Sequence, residues 1–484
     1  MNLKIGIFIF RRDLRLYDNL GLLNMINKVD IIYPIFILNK NQITKNNNNK
    51  NYFSNNAVQF MCESLIDLNN QLKKHNSHLR LFYGYVDKII EKIIKSLKNY
   101  KLYLGYNKDF STYSINRDNQ INDICSKYNI ETIITDDDYT CVPLYLGLKK
   151  DASLKENNGS AYKQYGAFYK NIVKNKVNIP IKNKFKNYFQ KMKLDFEFDI
   201  NDLHKFYKFN EYLAQNGGRT EGIEKLKNIN NFNNYNDLRD RLDYNTTNLS
   251  AYLNFGCISI RETYHTILNN LGKQSILLKQ LYWRDFYLTA FIYLPNANKF
   301  KFMDNRYNLI KWKNKKQDWN KLFSGTGFLI IDAAIQEMKI SGFMHNRARM
   351  LVGYFWTKYL LINSFHPIYG SQVGYSKYLV DAIGPSQNKM NHHWITEFDY
   401  PGKKYAPSFA PIAGRPMDIS NKTIKKYDPE CIYIKKWLPH LKNIINKDLI
   451  NWNADIAEKY NNIHPSPMFD SKLKYQEWID VCKK

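Results

Sequence analysis

The sequence predicts an α/β N-terminal domain with a parallel sheet, followed through a long connector by an all-α C-terminal domain. Two patterns carry that expectation. In the first third, short β-branched runs alternate with helical segments, the order expected of parallel strands joined by helical crossovers. Beyond residue 205, apolar residues recur at helical spacing over 275–294, 326–340 and 344–362, with no internal repeat. KIGIFIF, IIYPIFIL, LRLFYG, KLYLGY and TIITDDD read as strands, and AVQFMCESLIDLNNQLKKH has the length of a βαβ crossover. From 136 to 205 the periodicity fades while Pro, Gly, Lys and Asn accumulate. The predicted division is therefore 1–135, a connector at 136–205, and a helical domain at 206–484.

Composition narrows the partners. The chain carries 71 Lys and Arg against 44 Asp and Glu, a formal charge of +27. A polyanionic partner is expected, because cations that neutralise phosphates supply the sequence-independent part of nucleic-acid affinity. Lys, Asn, Ile and Tyr are all abundant, as A+T-rich coding produces, so charge alone favours nucleic acid only modestly. Cys62, Cys125, Cys141, Cys257, Cys431 and Cys482 lie dispersed without CxxC spacing. That argues against zinc, an iron–sulfur cluster or a disulfide framework, and for a reducing compartment. The apolar run in MNLKIGIFIFRRDLRL is too short for a signal peptide, and no membrane-length apolar span follows. A soluble, intracellular, monomeric protein without a metal is expected.

The most informative stretch is 325–356, GTGFLIIDAAIQEMKISGFMHNRARMLVGYFW, where an apolar helical pattern carries His345, Asn346, Arg347 and Arg349 in its middle. Asn346, Arg349 and Met350 fall at i, i+3 and i+4 and share one face, while Arg347 points elsewhere. A buried arginine without a partner is strongly destabilising, so a carboxylate or an anionic ligand is expected beside Arg349. An ordinary structural ion pair in a core helix would satisfy the same pattern.

Five further blocks bring the total to six in order: FIFRRDLRLYDN at 8–19, GGRTEG at 217–222, TTNLSAYLNFGCIS at 246–259, QLYWRDFY at 280–287, GTGFLIIDAAIQEM with GFMHNRARM at 325–350 from the stretch above, and YIKKWLPHL at 433–441. Taken in order, they resemble the photolyase/cryptochrome family over nearly the whole chain. The resemblance implies a Rossmann-like antenna domain followed by a helical domain that binds FAD. It also implies a second, antenna chromophore of folate or deazaflavin type, whose identity stays open; NKDFSTYSINRD at 107–118 is similar to the segment lining that pocket, and RRDLRLYDN to one that holds domain contacts beside it.

For FAD, the resemblance implies that Tyr235 and Arg239 approach the phosphates and that Thr246, Thr247, Asn248, Leu249 and Ser250 form the phosphate-binding loop. Hydroxyls and free N–H groups at a helix start suit an anion, although an ordinary N-cap would also explain Ser250. Trp283, Arg284, Asn346 and Arg349 complete the surroundings of the ring and diphosphate, with Asp381 of LVDAIG as the partner of Arg349. Asn388 of SQNKMNHHW resembles the residue facing flavin N5, where an amide favours the reduced cofactor; Asn391 is the alternative in a shifted register.

The implied substrate is damaged DNA, with the lesion extruded and stacked on aromatic residues. Trp283 and Trp394 resemble the tryptophans that grip a cyclobutane pyrimidine dimer. Asn346 and Met350 match the cyclobutane type, whereas (6-4) photolyases carry histidines there as proton donors. Arg347 is the expected phosphate contact. Three departures from the pattern stand out. Gln280 replaces the glutamate that hydrogen-bonds the dimer, as in the (6-4) type, so slower repair is expected. Ile383 replaces a second acidic residue, which Ser386 or Gln387 would have to make good. The tryptophan chain that usually reduces the flavin is interrupted, with His392 at the proximal position and Ser364 or Phe365 at the middle one; slow photoreduction is expected unless Trp356, Tyr354, Tyr359 or Tyr378 provides another route. The expected activity is cyclobutane dimer splitting by an electron from excited, reduced FAD. The alternatives are a (6-4) photolyase and a blue-light-sensing cryptochrome without repair, the latter disfavoured by the short stretch after YIKKWLPHL.

Overall fold

The computed structural model describes residues 3–43, 54–136, 139–149, 160–189, 193–294, 308–381 and 417–483. Strands β1 (Lys4–Phe10), β2 (Ile31–Asn39), β3 (Arg80–Gly84), β4 (Lys101–Asn107) and β5 (Glu131–Thr135) form a parallel sheet in the order β3-β2-β1-β4-β5. Ile7 registers with Tyr33 on one side and Leu104 on the other. Both faces of the central strands are apolar. Ile5, Ile7 and Ile9 pack with Tyr33, Ile90 and Leu104, and Phe8 and Phe10 pack with Phe36, Leu65 and Leu81. A sheet buried on both faces needs helices on both, and the helices Asn55–Lys73 and Val86–Ser96 supply them. The last strand is shorter than TIITDDD, ending at Thr135, because consecutive aspartates resist strand pairing.

The predicted connector is not a loose tether. Phe189 N–H donates to the Ile32 carbonyl at 2.8 Å and Phe198 N–H to that of Leu81 at 2.7 Å, so the segment lies along the sheet. The helix Tyr165–Ile172 sets buried Phe168 against Phe286. Eight residues of helix are too short to leave a clear period in the sequence.

One apolar core runs from Phe8 in the sheet through Phe60 to Tyr252, Leu281 and Phe286 in the helical part. The helix Ile276–Tyr293, capped by the Ser275 hydroxyl on Leu277 N–H, buries side chains all round its circumference. A second cluster gathers Leu329, Ile335, Leu351, Trp356 and Tyr433. The patterns at 326–340 and 344–362 belong to separate helices. The helix Leu329–Ser341 ends at Gly342, left-handed with φ +66°, and a new helix, Asn346–Tyr354, starts after it. His345 is therefore the N-cap of the second helix, its Nδ1 accepting from Arg347 N–H at 3.1 Å, and does not sit mid-helix.

The segment after β1 ties the two parts together. Arg12 forks onto Asp109 at 3.1 and 3.2 Å and reaches Asn254 Oδ1 at 3.0 Å. Arg15 donates to the Gly256 carbonyl at 3.0 Å, and buried Asp18 pairs with Arg261 at 3.0 Å. Gly256 holds φ +66°, and a Cβ there would stand 2.1 Å from the Arg12 carbonyl oxygen. Gly256→Ala is expected to destabilise the protein by about 2 kcal/mol or more in urea denaturation, because left-handed strain and a backbone clash add. Among the described residues, no helix is long and apolar enough to cross a membrane.

Candidate functional site

Asp381 is fixed before it meets its partner. The Ser54 hydroxyl donates to the Leu379 carbonyl at 3.1 Å, and Asn56 Nδ2 donates to the Tyr378 carbonyl at 2.8 Å, both from the first turn of the Asn55–Lys73 helix. Val380 N–H donates to the Gly342 carbonyl at 2.9 Å. The carboxylate is thereby held against Arg349, with three nitrogen–oxygen contacts of 3.2–3.3 Å, and both residues are buried. Arg349 Nε donates to the Met344 carbonyl at 2.6 Å, and Tyr375 Oη to the Arg349 carbonyl at 3.0 Å. The buried guanidinium thus has the carboxylate its burial demands.

Beside this pair opens a cavity of about 710 Å³ lined by Thr247, Leu249, Ser250, Gln280, Arg284 and Asp381. Asn248 takes φ +52°, and the short helix Ser250–Asn254 begins after Leu249 with no side-chain cap. Ser250 is therefore the first helical residue rather than the N-cap, and this helix start makes no capping bond with its own hydroxyls. Arg284 donates to the Tyr139 carbonyl and to that of Leu253 at 3.3 Å. Carbonyls leave its charge in place at the cavity wall. Asn254, which the motifs did not single out, bridges Arg12 and the Asp381 carbonyl, the latter at 3.3 Å.

Thr246 and Asn248 face the other way, into a recess of about 830 Å³ shared with Glu337, His345, Tyr433 and Lys436. Glu337 accepts from Tyr433 Oη at 2.6 Å and from His345 N–H at 3.1 Å. Burial pushes its carboxyl up to about 7 against those two hydrogen bonds. Burial, reinforced by Arg347 and Arg349, pushes His345 down to about 4. Neither residue was singled out for chemistry by its sequence pattern, since each looks like part of a core helix until the fold pairs them.

The remaining candidates fall in three groups. Tyr235 and Arg239 sit with Asp240 and Arg347 and do not line the 710 Å³ cavity. Arg347 forks onto Asp240, with both contacts at 2.8 Å, and its other nitrogen lies 3.1 Å from Met350 Sδ. It therefore shares the Met350 face with Asn346, whose amide lies 4.0 Å from the same sulfur, rather than pointing elsewhere; one helical turn brings i and i+3 within reach of a long side chain. Trp283 stacks on Tyr165. Asn388, Asn391, Trp394, Ile383, Ser386, Gln387 and His392 lie outside the described residues. Ser364 is buried, and Phe365 packs beside Trp312 and Trp478. Trp356 contacts Tyr375 at 5.9 Å and Phe323 at 5.6 Å, and Phe323 meets Tyr378 at 5.9 Å.

A third cavity, of about 790 Å³, lies at the carboxyl ends of β1, β2 and β4, where the strand order reverses. It is lined by Arg11, Arg12, Asn39, Asp109, Tyr113 and Arg117. This is where an open α/β sheet takes a ligand.

Two family models match this chain: the DNA photolyase model over residues 7–183 and the FAD binding domain of DNA photolyase over 277–484. The chain belongs to the photolyase/cryptochrome family. Across this family's range, it is 27% identical to a deoxyribodipyrimidine photo-lyase of Buchnera aphidicola, covering 97% of this chain and 96% of that protein. It is 25% identical to a (6-4)DNA photolyase of Arabidopsis thaliana, covering 95% and 84%. An archaeal photolyase from Sulfolobus tokodaii, whose structure holds two FAD molecules, superposes with a TM-score of 0.79 at 29% identity, over 99% of each chain.

FAD is the family cofactor that the C-terminal domain binds, and the residues present fit it. The cavity combines apolar Leu249, Leu253 and Leu281 with polar Thr247, Ser250 and Arg284, the mixed lining of a ligand site. An uncapped helix start carrying Ser250, with Thr247 and the Arg284 charge beside it, suits a diphosphate. Asp381, the partner of Arg349, stands at the same wall, which Arg349 itself does not line.

Proposed function

We propose that the chain is a light-driven DNA repair enzyme, a deoxyribodipyrimidine photo-lyase that splits cyclobutane pyrimidine dimers. The observation that carries the lesion type is the face that Asn346 and Met350 share with Arg347, on the helix that also bears Arg349. Neither side chain can donate a proton as an acid. The adjacent histidine cannot either: His345 is held neutral, with Nδ1 engaged by Arg347 N–H. A (6-4) reaction needs such a donor and opening a cyclobutane ring does not.

Bound FAD, when reduced and excited, supplies the electron. The protein's part is position and exclusion of water. Thr247, Ser250 and Arg284 would hold the diphosphate, and Arg349 and Asp381 would fix each other at the ring. Gln280 faces the same cavity with an amide that donates and accepts but carries no charge. Trp283 is the tryptophan that, by the family resemblance, would stack on an extruded base. Arg347 is the phosphate contact of this reading; its pair with Asp240 is partly exposed, so a phosphate can replace the carboxylate at little cost.

The test is to illuminate purified, reduced protein with duplexes carrying either lesion alone. Repair of the cyclobutane dimer and not of the (6-4) product is expected, with Gln280→Glu raising the rate several-fold. Repair of the (6-4) product would reverse the assignment, and repair of neither would favour a light receptor.

A further inference from the structure

Among the described aromatic pairs, none is closer than Tyr165 and Trp283, whose ring centroids are 3.6 Å apart with planes 7° from parallel. Rings left to themselves favour offset or edge-on arrangements with centroids about 4.5–7 Å apart. Something therefore holds this pair face to face. Tyr165 Oη donates to the Lys279 carbonyl at 2.9 Å, one turn before Trp283 on the same helix. Its ring is braced by Phe286 at 5.8 Å and by Tyr169 at 5.7 Å, and Tyr169 in turn meets Tyr282 edge-on. Burial raises the Tyr165 hydroxyl above its ordinary range, so it stays a neutral donor.

The two rings come from distant parts of the chain. Tyr165 lies in the short helix Tyr165–Ile172, within the N-terminal family match, and Trp283 lies in the helix Ile276–Tyr293, within the C-terminal one. Trp283 also meets Tyr287 at 5.5 Å and Phe286 edge-on at 5.6 Å, and it lies on the same helix as Gln280 and Arg284, which line the cavity that Trp283 itself does not. Resting on the repair reading above, we propose that Tyr165 is a positioning residue for the lesion: it fixes the plane of the Trp283 indole before DNA arrives, and so sets how tightly an extruded pyrimidine dimer is held. A tryptophan that must first be immobilised loses part of its stacking affinity as ordering entropy, and one already clamped does not. Undamaged duplex, which extrudes no base, gains nothing from the clamp.

The experiment compares wild-type protein, Tyr165→Phe and Tyr165→Leu, each loaded with FAD, for binding to a duplex bearing one cyclobutane dimer and to the undamaged duplex. Tyr165→Leu is expected to lose about ten-fold in affinity for the dimer duplex and nothing for the undamaged one, within the range that base–aromatic stacking supplies. Tyr165→Phe keeps the ring and is expected within about two-fold of wild type on both. Repair yield at saturating dimer should be unchanged in all three. Because the readout is the ratio of two affinities, a modest loss of folded protein in the leucine variant cancels. An unchanged ratio in Tyr165→Leu, or a ratio lowered as much in Tyr165→Phe, overturns the proposal. Wild-type protein that does not distinguish the duplexes overturns the repair reading, and the proposal falls with it.

Discussion

Asp381→Asn is expected to lower the stability of the protein by about 3–5 kcal/mol and to empty it of flavin. The size follows from leaving the Arg349 guanidinium buried without its counter-charge; breaking such a pair costs far more than replacing both partners with apolar groups of similar volume. The double variant Arg349→Met with Asp381→Leu should therefore regain most of the lost stability in urea denaturation. It should not regain flavin, since methionine and leucine offer the ring no charge or hydrogen bond. Flavin absorbance per folded protein separates the two roles. A double variant that purifies fully yellow would reduce the pair to scaffolding.

Glu337→Gln is expected to change the pH dependence of stability. The folded carboxyl is pushed to about 7 by burial, above the ordinary value of 4.5. Between those values the folded state binds a proton that the unfolded chain has released. The contribution of Glu337 is therefore complete below pH 4.5 and is lost as pH rises through 7. At about 1.4 kcal/mol per pKa unit, the wild-type protein should lose about 2–3 kcal/mol from this residue between pH 5 and pH 8. Glutamine keeps an acceptor for Tyr433 Oη and His345 N–H and has nothing to ionise. The variant should match wild type at pH 5 and exceed it by about 2–3 kcal/mol at pH 8. Asp285, also pushed up to about 7 by burial, is present in both proteins and drops out of the difference. A stability difference that does not vary with pH would mean that Glu337 stays ionised throughout.

The sequence made local regularities visible and hid pairings. Strands β1 to β4 and the helix Ile276–Tyr293 lie within a residue or two of the patterns that predicted them, because period-two and helical spacing are written into adjacent residues. The break between the stripes at 326–340 and 344–362 was legible, but His345 was read inside the helical pattern, because nothing in the apolar spacing shows that its side chain caps the second helix. That Arg349 needs a counter-charge follows from its surroundings in sequence, while the partner lies 32 residues away and was reached only through family resemblance. Asn254 and Tyr165 carried no such signal. Each matters through a residue more than a hundred positions distant, Arg12 in one case and Trp283 in the other. The loop at 246–250 was located by its motif, but which of its residues line which cavity depends on a backbone turn at Asn248 that composition does not specify.

The hold that Ser54 and Asn56 keep on residues 378–379 reaches beyond local order. The carboxylate that neutralises Arg349 is stationed by a helix of the other domain, so occupancy of the flavin cavity and docking of the two domains are linked equilibria. By reciprocity, if a ligand in the cavity at the carboxyl ends of β1, β2 and β4 were to strengthen flavin binding through the docking, flavin would strengthen that ligand's binding by the same factor. A helical domain cut free of that hold is expected to bind flavin more weakly even with every residue of the cavity wall intact, which flavin absorbance per folded protein checks.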